Sequence, residues 1–221
     1  MRPLTELSEP ALVWLGNVML EGRVAVPRRA VAAVVFASAP SLPDALRDEE
    51  IVSGLFDAKI ATVYVPLLTD EEQQFDARTA NFRFDVDFLA QRFIEIAQWT
   101  TRNRSTASMP VGYIASSGAA AAAIVAAATR PDLVSAVAAI DGRTDLAVES
   151  LRDLKAPTLL VVKDMPVLRM NREALTRIRA ERRLEIVHGI DGHAVDCVAH
   201  KAVHWMEDRL ATVAADAYGI V

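Results

Sequence analysis

Cysteine is nearly absent from this chain: Cys197 is the single thiol among 221 residues. No internal disulfide can form, so a reducing cytoplasm is the expected location. A zinc site built on two or more cysteines of one chain is excluded as well. Positive charge is not in excess either. The formal net charge is −5 and no basic patch stands out, which argues against nucleic acid as a partner. The N-terminus lacks a charged start followed by an apolar segment, so no secretory signal is expected. The longest apolar runs break off well short of a membrane span, so no membrane partner is expected. No internal repeat is visible.

What the chain does contain is apolar residues, at 52% of the total. That is enough for a large core in a single domain over residues 1–221, with residues 1–10 loosely held. The apolar residues fall into short runs separated by turn signals. Residues 11–15 and 18–26 read as two strands joined at Gly16-Asn17, an antiparallel hairpin. Residues 30–36, 61–67, 133–140, 157–162 and 184–188 read as buried strands. Helical spacing occupies residues 44–56, 85–99, 171–182 and 195–213, with a short helix ending at Leu154. Phe88, Leu89, Phe93, Ile94 and Ile96 form the inner face of the second of these. Residues 69–84 are polar and acidic, with Asp70, Glu71, Glu72 and Asp76; a solvated loop is the expectation, and a lid or rim beside a site is the alternative. Strands alternating with helices predict an α/β fold: a mostly parallel sheet with helices on both faces, after the N-terminal hairpin. In such sheets a ligand sits beyond the carboxyl ends of the strands. The loops after Phe36, Ala115, Val162 and His188 all fall at that edge.

The stretch Val111-Gly112-Tyr113-Ile114-Ala115-Ser116-Ser117-Gly118 runs into an alanine-rich segment, 119–128. It reads as strand, tight turn and helix with a serine at the junction, the architecture of a nucleophile elbow. Such a turn lifts a hydroxyl off the sheet and aims the first free N–H groups of the helix at the space beside it. Small residues are required where strand and helix nearly touch, and Ala115, Ser117, Gly118, Ala119 and Ala120 supply them. Against the pattern G-x-S-x-G, a centre on Ser116 retains Gly118 but puts Ile114 at the first glycine. A centre on Ser117 gives Ala-Ser-Ser-Gly-Ala, sterically easier and without either glycine. Ser116 is favoured for keeping Gly118 in place, and capping of the following helix is the alternative use of the same hydroxyl.

Four histidines are present: His188, His193, His200 and His204. His193 follows Asp191-Gly192 just after the last strand, where an imidazole can swing over the sheet edge and take a proton from the elbow serine. His200 and His204 share a helix face, but no glutamate completes an H-E-x-x-H pattern, and no metal is expected. His188 is expected to pack or to pair with backbone. A catalytic histidine needs a carboxylate partner. Asp164, after the penultimate strand, stands at the right edge, with Asp141 and Asp191 in reserve. The chain order Ser116, Asp164, His193 is that of the α/β-hydrolases.

On these residues the chain resembles the α/β-hydrolase superfamily, and within it the small dienelactone-hydrolase-like proteins, from about Val18 to Leu210. Also similar are Asp76-Ala77-Arg78-Thr79 with Arg83-Phe84-Asp85, then Arg130-Pro131-Asp132-Leu133 and Asn171-Arg172-Glu173-Ala174-Leu175. The resemblance implies a serine hydrolase acting on a small-molecule carboxylic ester or lactone, with no cofactor and no metal. Ser116 would be the nucleophile, His193 the base and Asp164 its partner. The backbone N–H groups of Ser117 and Ala39 would bind the oxyanion. Relatives with a cysteine at the elbow act on dienelactones; serine here means that substrate is not carried over. Three motifs depart from the family. Ala37-Ser38-Ala39-Pro40-Ser41 replaces the usual His-Gly after the third strand, Ile114 replaces glycine and is expected to crowd the elbow helix, and Met165 stands where an aspartate usually precedes proline. These departures support a second reading, a degenerate fold used for ligand binding or protein association. An acyltransferase built on the same site is a third.

Overall fold

The hairpin that the Gly16-Asn17 turn predicts forms the edge of the sheet. The computed structural model describes residues 4–37, 42–163, 165–188 and 192–218. A single helical turn, α1 (Leu4–Leu7), precedes β1 (Glu9–Leu15) and β2 (Val18–Ala25), which pair antiparallel with Leu15 opposite Val18. Gly16 takes φ +62°, the left-handed backbone that the tight turn requires. Residues 5–8 are tied to β2, because Arg23 donates to the Ser8 hydroxyl at 2.8 Å and to its carbonyl at 2.6 Å.

The chain then alternates: β3 (Ala32–Ala37), α2 (Leu42–Asp57), β4 (Ile60–Tyr64), α3 (Asp70–Thr79), α4 (Val86–Arg102), β5 (Val111–Ser116) and α5 (Ser117–Thr129). It continues with β6 (Ala136–Ile140), a 3-10 turn at Thr144–Ala147, β7 (Thr158–Val162), α6 (Met165–Arg177), β8 (Arg182–Ile186) and α7 (Gly192–Tyr218). The eight strands form one sheet in the order β1-β2-β4-β3-β5-β6-β7-β8. β2 meets β4 antiparallel, and every pairing from β4 to β8 is parallel. The predicted fold is the one observed. Several elements start earlier than their apolar spacing suggests, α6 by the widest margin. α6 begins at Met165, because Pro166 falls in its first turn, where no amide partner is lost. β8 runs from Arg182 to Ile186, ahead of its apolar stretch at both ends.

Alternation along the strands divides the core in two. Val35, Tyr113, Ala115, Val137, Ala139 and Leu160 face α4, α5 and α6. Val34, Phe36, Ile114, Ala138, Ile140 and Val161 face α2 and α7. The alanine run of α5 is buried between β5, β6 and α4, and its small side chains let the helix axis approach the sheet closely. On the other face, a Cβ on Gly112 would lie 2.8 Å from Met206 Sδ, so this glycine admits α7. Among the described residues no helix is long and apolar enough to cross a membrane.

Beneath the elbow, Tyr113 is fully buried with its ring 5.2 Å from that of Phe93. Among the described residues its hydroxyl finds no hydrogen-bond partner, and burial pushes its pKa well above the ordinary tyrosine value. Leaving a polar group unsatisfied costs about 1–3 kcal/mol. Tyr113→Phe is therefore expected to stabilise the protein by about 1 kcal/mol, read as a higher urea midpoint at unchanged slope. A lower midpoint would show that the hydroxyl is satisfied in solution.

Candidate active site

The carboxyl ends of β3, β4 and β5 open into a cavity of about 790 Å³. Its walls include Tyr64, Val65 and Leu67 after β4, Arg83 and Phe84 before α4, and Ser116, Ser117 and Gly118 at the elbow. Arg143, after β6, completes the rim.

Ser116 is the last residue of β5, with extended backbone (φ −125°, ψ 155°) and only 1% exposure. Ser117, the first residue of α5, has φ +55°. A residue with a Cβ adopts this region at a cost of roughly 1–2 kcal/mol. The strained position of the turn is therefore Ser117, one residue after the serine that the sequence pattern favours. The carbonyl of Ser117 accepts the Arg143 N–H at 3.2 Å, which holds the turn from the β6 side. A Cβ on Gly118 would meet the Arg83 carbonyl at 3.0 Å, so a glycine there lets the stretch before α4 close over the elbow. Ser116 occupies the N-cap position of α5 but makes no side-chain capping bond. Its hydroxyl accepts instead from Arg47 Nη2, at 3.4 Å.

The crowding expected of Ile114 does not arise. Its side chain belongs to the face covered by α2 and α7, opposite the elbow helix. The residue directed at α5 is Ala115, which is small.

Asp164 and Ala39 lie outside the described residues, as does the side chain of His193, whose backbone is in the first turn of α7. Asp191 falls outside them too. Asp141 is described: at φ +46°, its Oδ1 accepts the Lys163 N–H at 2.7 Å and so ties the β6 turn to the end of β7. His188, expected to pack or to pair with backbone, is exposed rather than packed. His200 and His204 stack at 6.1 Å between centroids on the outer face of α7, and His204 approaches Asp208 at 3.6 Å. Among the described residues no three His, Cys, Asp or Glu side chains gather as metal ligands would.

The acidic stretch expected as a solvated loop is a helix that walls the cavity. Thr69 and Glu72 form a capping box at the start of α3, with the Thr69 N–H donating to Glu72 at 2.8 Å and the Glu72 N–H to Thr69 at 3.2 Å. Arg92 of α4 pairs with Glu72 at 2.8 Å. Asp76 organises the turn between α3 and α4. Its Oδ1 accepts the N–H groups of Phe82 (2.7 Å) and Arg83 (3.0 Å), and its Oδ2 accepts Arg83 Nε (2.7 Å). Burial pushes this carboxyl up, but the bonds from Arg83 and Phe82 and the Arg83 charge outweigh it, so its pKa lies below the ordinary value. The helix escapes a periodicity search because its only buried side chain is Asp76, which leaves no apolar stripe.

Sequence reasoning also passes over Arg47 and Asp48, both buried in α2. Their spacing does carry a signal. Arg47 lies four residues before Ile51 and Asp48 four before Val52, so both charges fall on the apolar face.

No protein-family model matches the chain. A dienelactone hydrolase from Anabaena variabilis superposes with a TM-score of 0.86 and 37% identity, over 92% of this chain and 98% of that one. Est1E from Butyrivibrio proteoclasticus shares the fold at a TM-score of 0.74 and 9% identity, over 91% of this chain and 99% of that one. Two Mycobacterium tuberculosis proteins, from different strains and provisionally named phosphoribosyl transferases, are 36% identical over 210 residues, or 91% of this chain. The chain spans 46% of the length of these relatives.

Proposed function

The chain belongs to the dienelactone hydrolase family, and from that membership we propose that it is a serine hydrolase cleaving a carboxylic ester or lactone through an acyl-enzyme on Ser117. The observation that carries the choice of serine is the backbone of Ser117 at φ +55° on the cavity wall, beside Ser116 in ordinary extended backbone. A nucleophile elbow concentrates its strain on the nucleophile itself. The hydrolase reading is preferred to the transferase name of the mycobacterial relatives because the likeness to the Anabaena hydrolase extends over 98% of that chain.

In this reading His193 takes the proton from Ser117 Oγ as the oxygen attacks the acyl carbonyl. The negative charge that develops on the carbonyl oxygen is met by the N–H of Gly118, the residue after the nucleophile and among the first amides of α5 without an acceptor inside the helix. A second N–H, from Ala39, completes the pair. His193 returns the proton to the leaving alkoxide, and Asp164 holds the imidazole in the required tautomer. Water then repeats the sequence and releases the acid. The largely apolar cavity accommodates the acyl portion, with Val65, Leu67, Phe84 and Leu89 beside the elbow.

Labelling with a fluorophosphonate tests the assignment. Wild type is expected to carry one phosphonyl group on Ser117, retained in Ser116→Ala and lost in Ser117→Ala and His193→Ala. An adduct on Ser116 would return the nucleophile to the preceding residue. Folded wild type that takes no label would favour the fold's use as a binding module.

A further inference from the structure

The two adjacent serines of the elbow face different surroundings, and the surroundings of Ser116 carry charge. Arg47 and Asp48 are 5% and 4% exposed and lie behind the elbow in α2. Arg47 Nη2 donates to Ser116 Oγ at 3.4 Å and to Asp48 Oδ1 at 3.0 Å, and its Nε reaches the same carboxylate oxygen at 3.3 Å. The other oxygen, Asp48 Oδ2, accepts the Tyr64 hydroxyl at 3.0 Å. Tyr64 closes β4, sets its ring edge-on to Phe36 at 5.2 Å and forms part of the cavity wall. A chain of contacts therefore runs from the last residue of β5 through a buried cation and a buried anion to a phenol on the wall.

Placing two ions in a protein interior costs several kcal/mol in lost hydration, which an apolar pair of similar volume would not. Stability alone gives no reason for a charged pair at this position. Its contacts do. Each end of the pair reaches a residue that lines the cavity, the guanidinium Ser116 and the carboxylate Tyr64. Water screens such a buried pair little. The Arg47 bond to Ser116 also holds the last residue of β5 against the strain of its neighbour Ser117.

We infer that Arg47, with Asp48 as its counter-ion, is a positioning residue for the elbow: it fixes Ser116 and, through Asp48, the Tyr64 side of the cavity. This rests on the assignment of Ser117 as nucleophile. The contribution acts on the transition state, so its loss lowers kcat and leaves KM in place.

The test is steady-state hydrolysis of p-nitrophenyl butyrate, with the rate of fluorophosphonate labelling and the melting temperature, for wild type and four variants. In Arg47→Met/Asp48→Leu both charges leave together, so neither ion of the pair is left buried without the other. This protein is expected to melt at or above the wild-type temperature, with kcat and labelling rate lower by about 10- to 100-fold and KM within about twofold. Arg47→Lys keeps the charge but not the fork, and is expected to fall between the double variant and wild type. Ser116→Ala removes only the hydroxyl and is expected to fold normally, with kcat lower by about 3- to 10-fold. Asp48→Asn, which keeps both acceptor geometry and volume, is expected to lower kcat less than the double variant does. A double variant with wild-type kcat, or a fall in kcat matched by a fall in melting temperature in every variant, overturns the inference while leaving Ser117 as nucleophile. Wild type without turnover or label overturns both.

Discussion

Ser117→Ala is expected to lower kcat toward p-nitrophenyl butyrate by about 10⁴- to 10⁶-fold, while Ser116→Ala stays within about tenfold of wild type. The asymmetry follows from the backbone. Ser116 is held in β5, opposite Ile140 of β6, with its hydroxyl turned to Arg47. Ser117 has left the sheet at φ +55° and lines the cavity. Removing a nucleophile disables the acyl-enzyme route altogether, whereas removing a neighbouring hydroxyl disturbs only its support. KM for Ser117→Ala should be measured as a binding constant with a non-hydrolysed analogue. It is expected to change little, because the Oγ contributes to reaction more than to binding. Comparable losses in both variants would mean that the two hydroxyls act as a unit, and that the strain at Ser117 does not mark the nucleophile.

Asp76→Ala is expected to destabilise the protein by about 2–4 kcal/mol and to raise KM severalfold. This one carboxylate receives two backbone N–H groups and a guanidinium, and it fixes the path of residues 80–85 across the elbow. Without it, Arg83 and Phe84 lose their place in the cavity wall. The lowered pKa gives the pH dependence a definite sign. A carboxyl depressed in the folded state adds stability above its unfolded value of about 3.9, and that stability is lost as pH falls through the lower folded value. The stability difference between wild type and Asp76→Asn, from urea unfolding, should be full at pH 6 and shrink below about pH 4. A difference independent of pH would assign the contribution to shape alone.

Much of this arrangement is legible in the residues themselves. The hairpin follows from Gly16-Asn17 between two alternating runs, and the parallel strands from short β-branched stretches spaced by helices. The elbow is visible because strand, small residues and an alanine-rich helix succeed one another without a loop. Two parts were hidden for different reasons. α3 is held by its caps and by Asp76 rather than by an apolar stripe, and polar stabilisation leaves no period to detect. The buried pair Arg47–Asp48 shows in the sequence only as two charges on the apolar face of α2; their pairing with each other and with Ser116 appears only once that helix is docked on the sheet.

The sequence alone thus determined the fold class and the strand–turn–helix that carries the two serines. These depend on periodicity, residue size and chain order, which are local. Tertiary structure decided which of the two serines takes the left-handed backbone. The choice is made by strand pairing: Ala115 lies opposite Ala37, and Ser116 opposite Ile140. Ser116 is thereby the last residue that the sheet holds in extended backbone, and the reversal of the chain falls on Ser117.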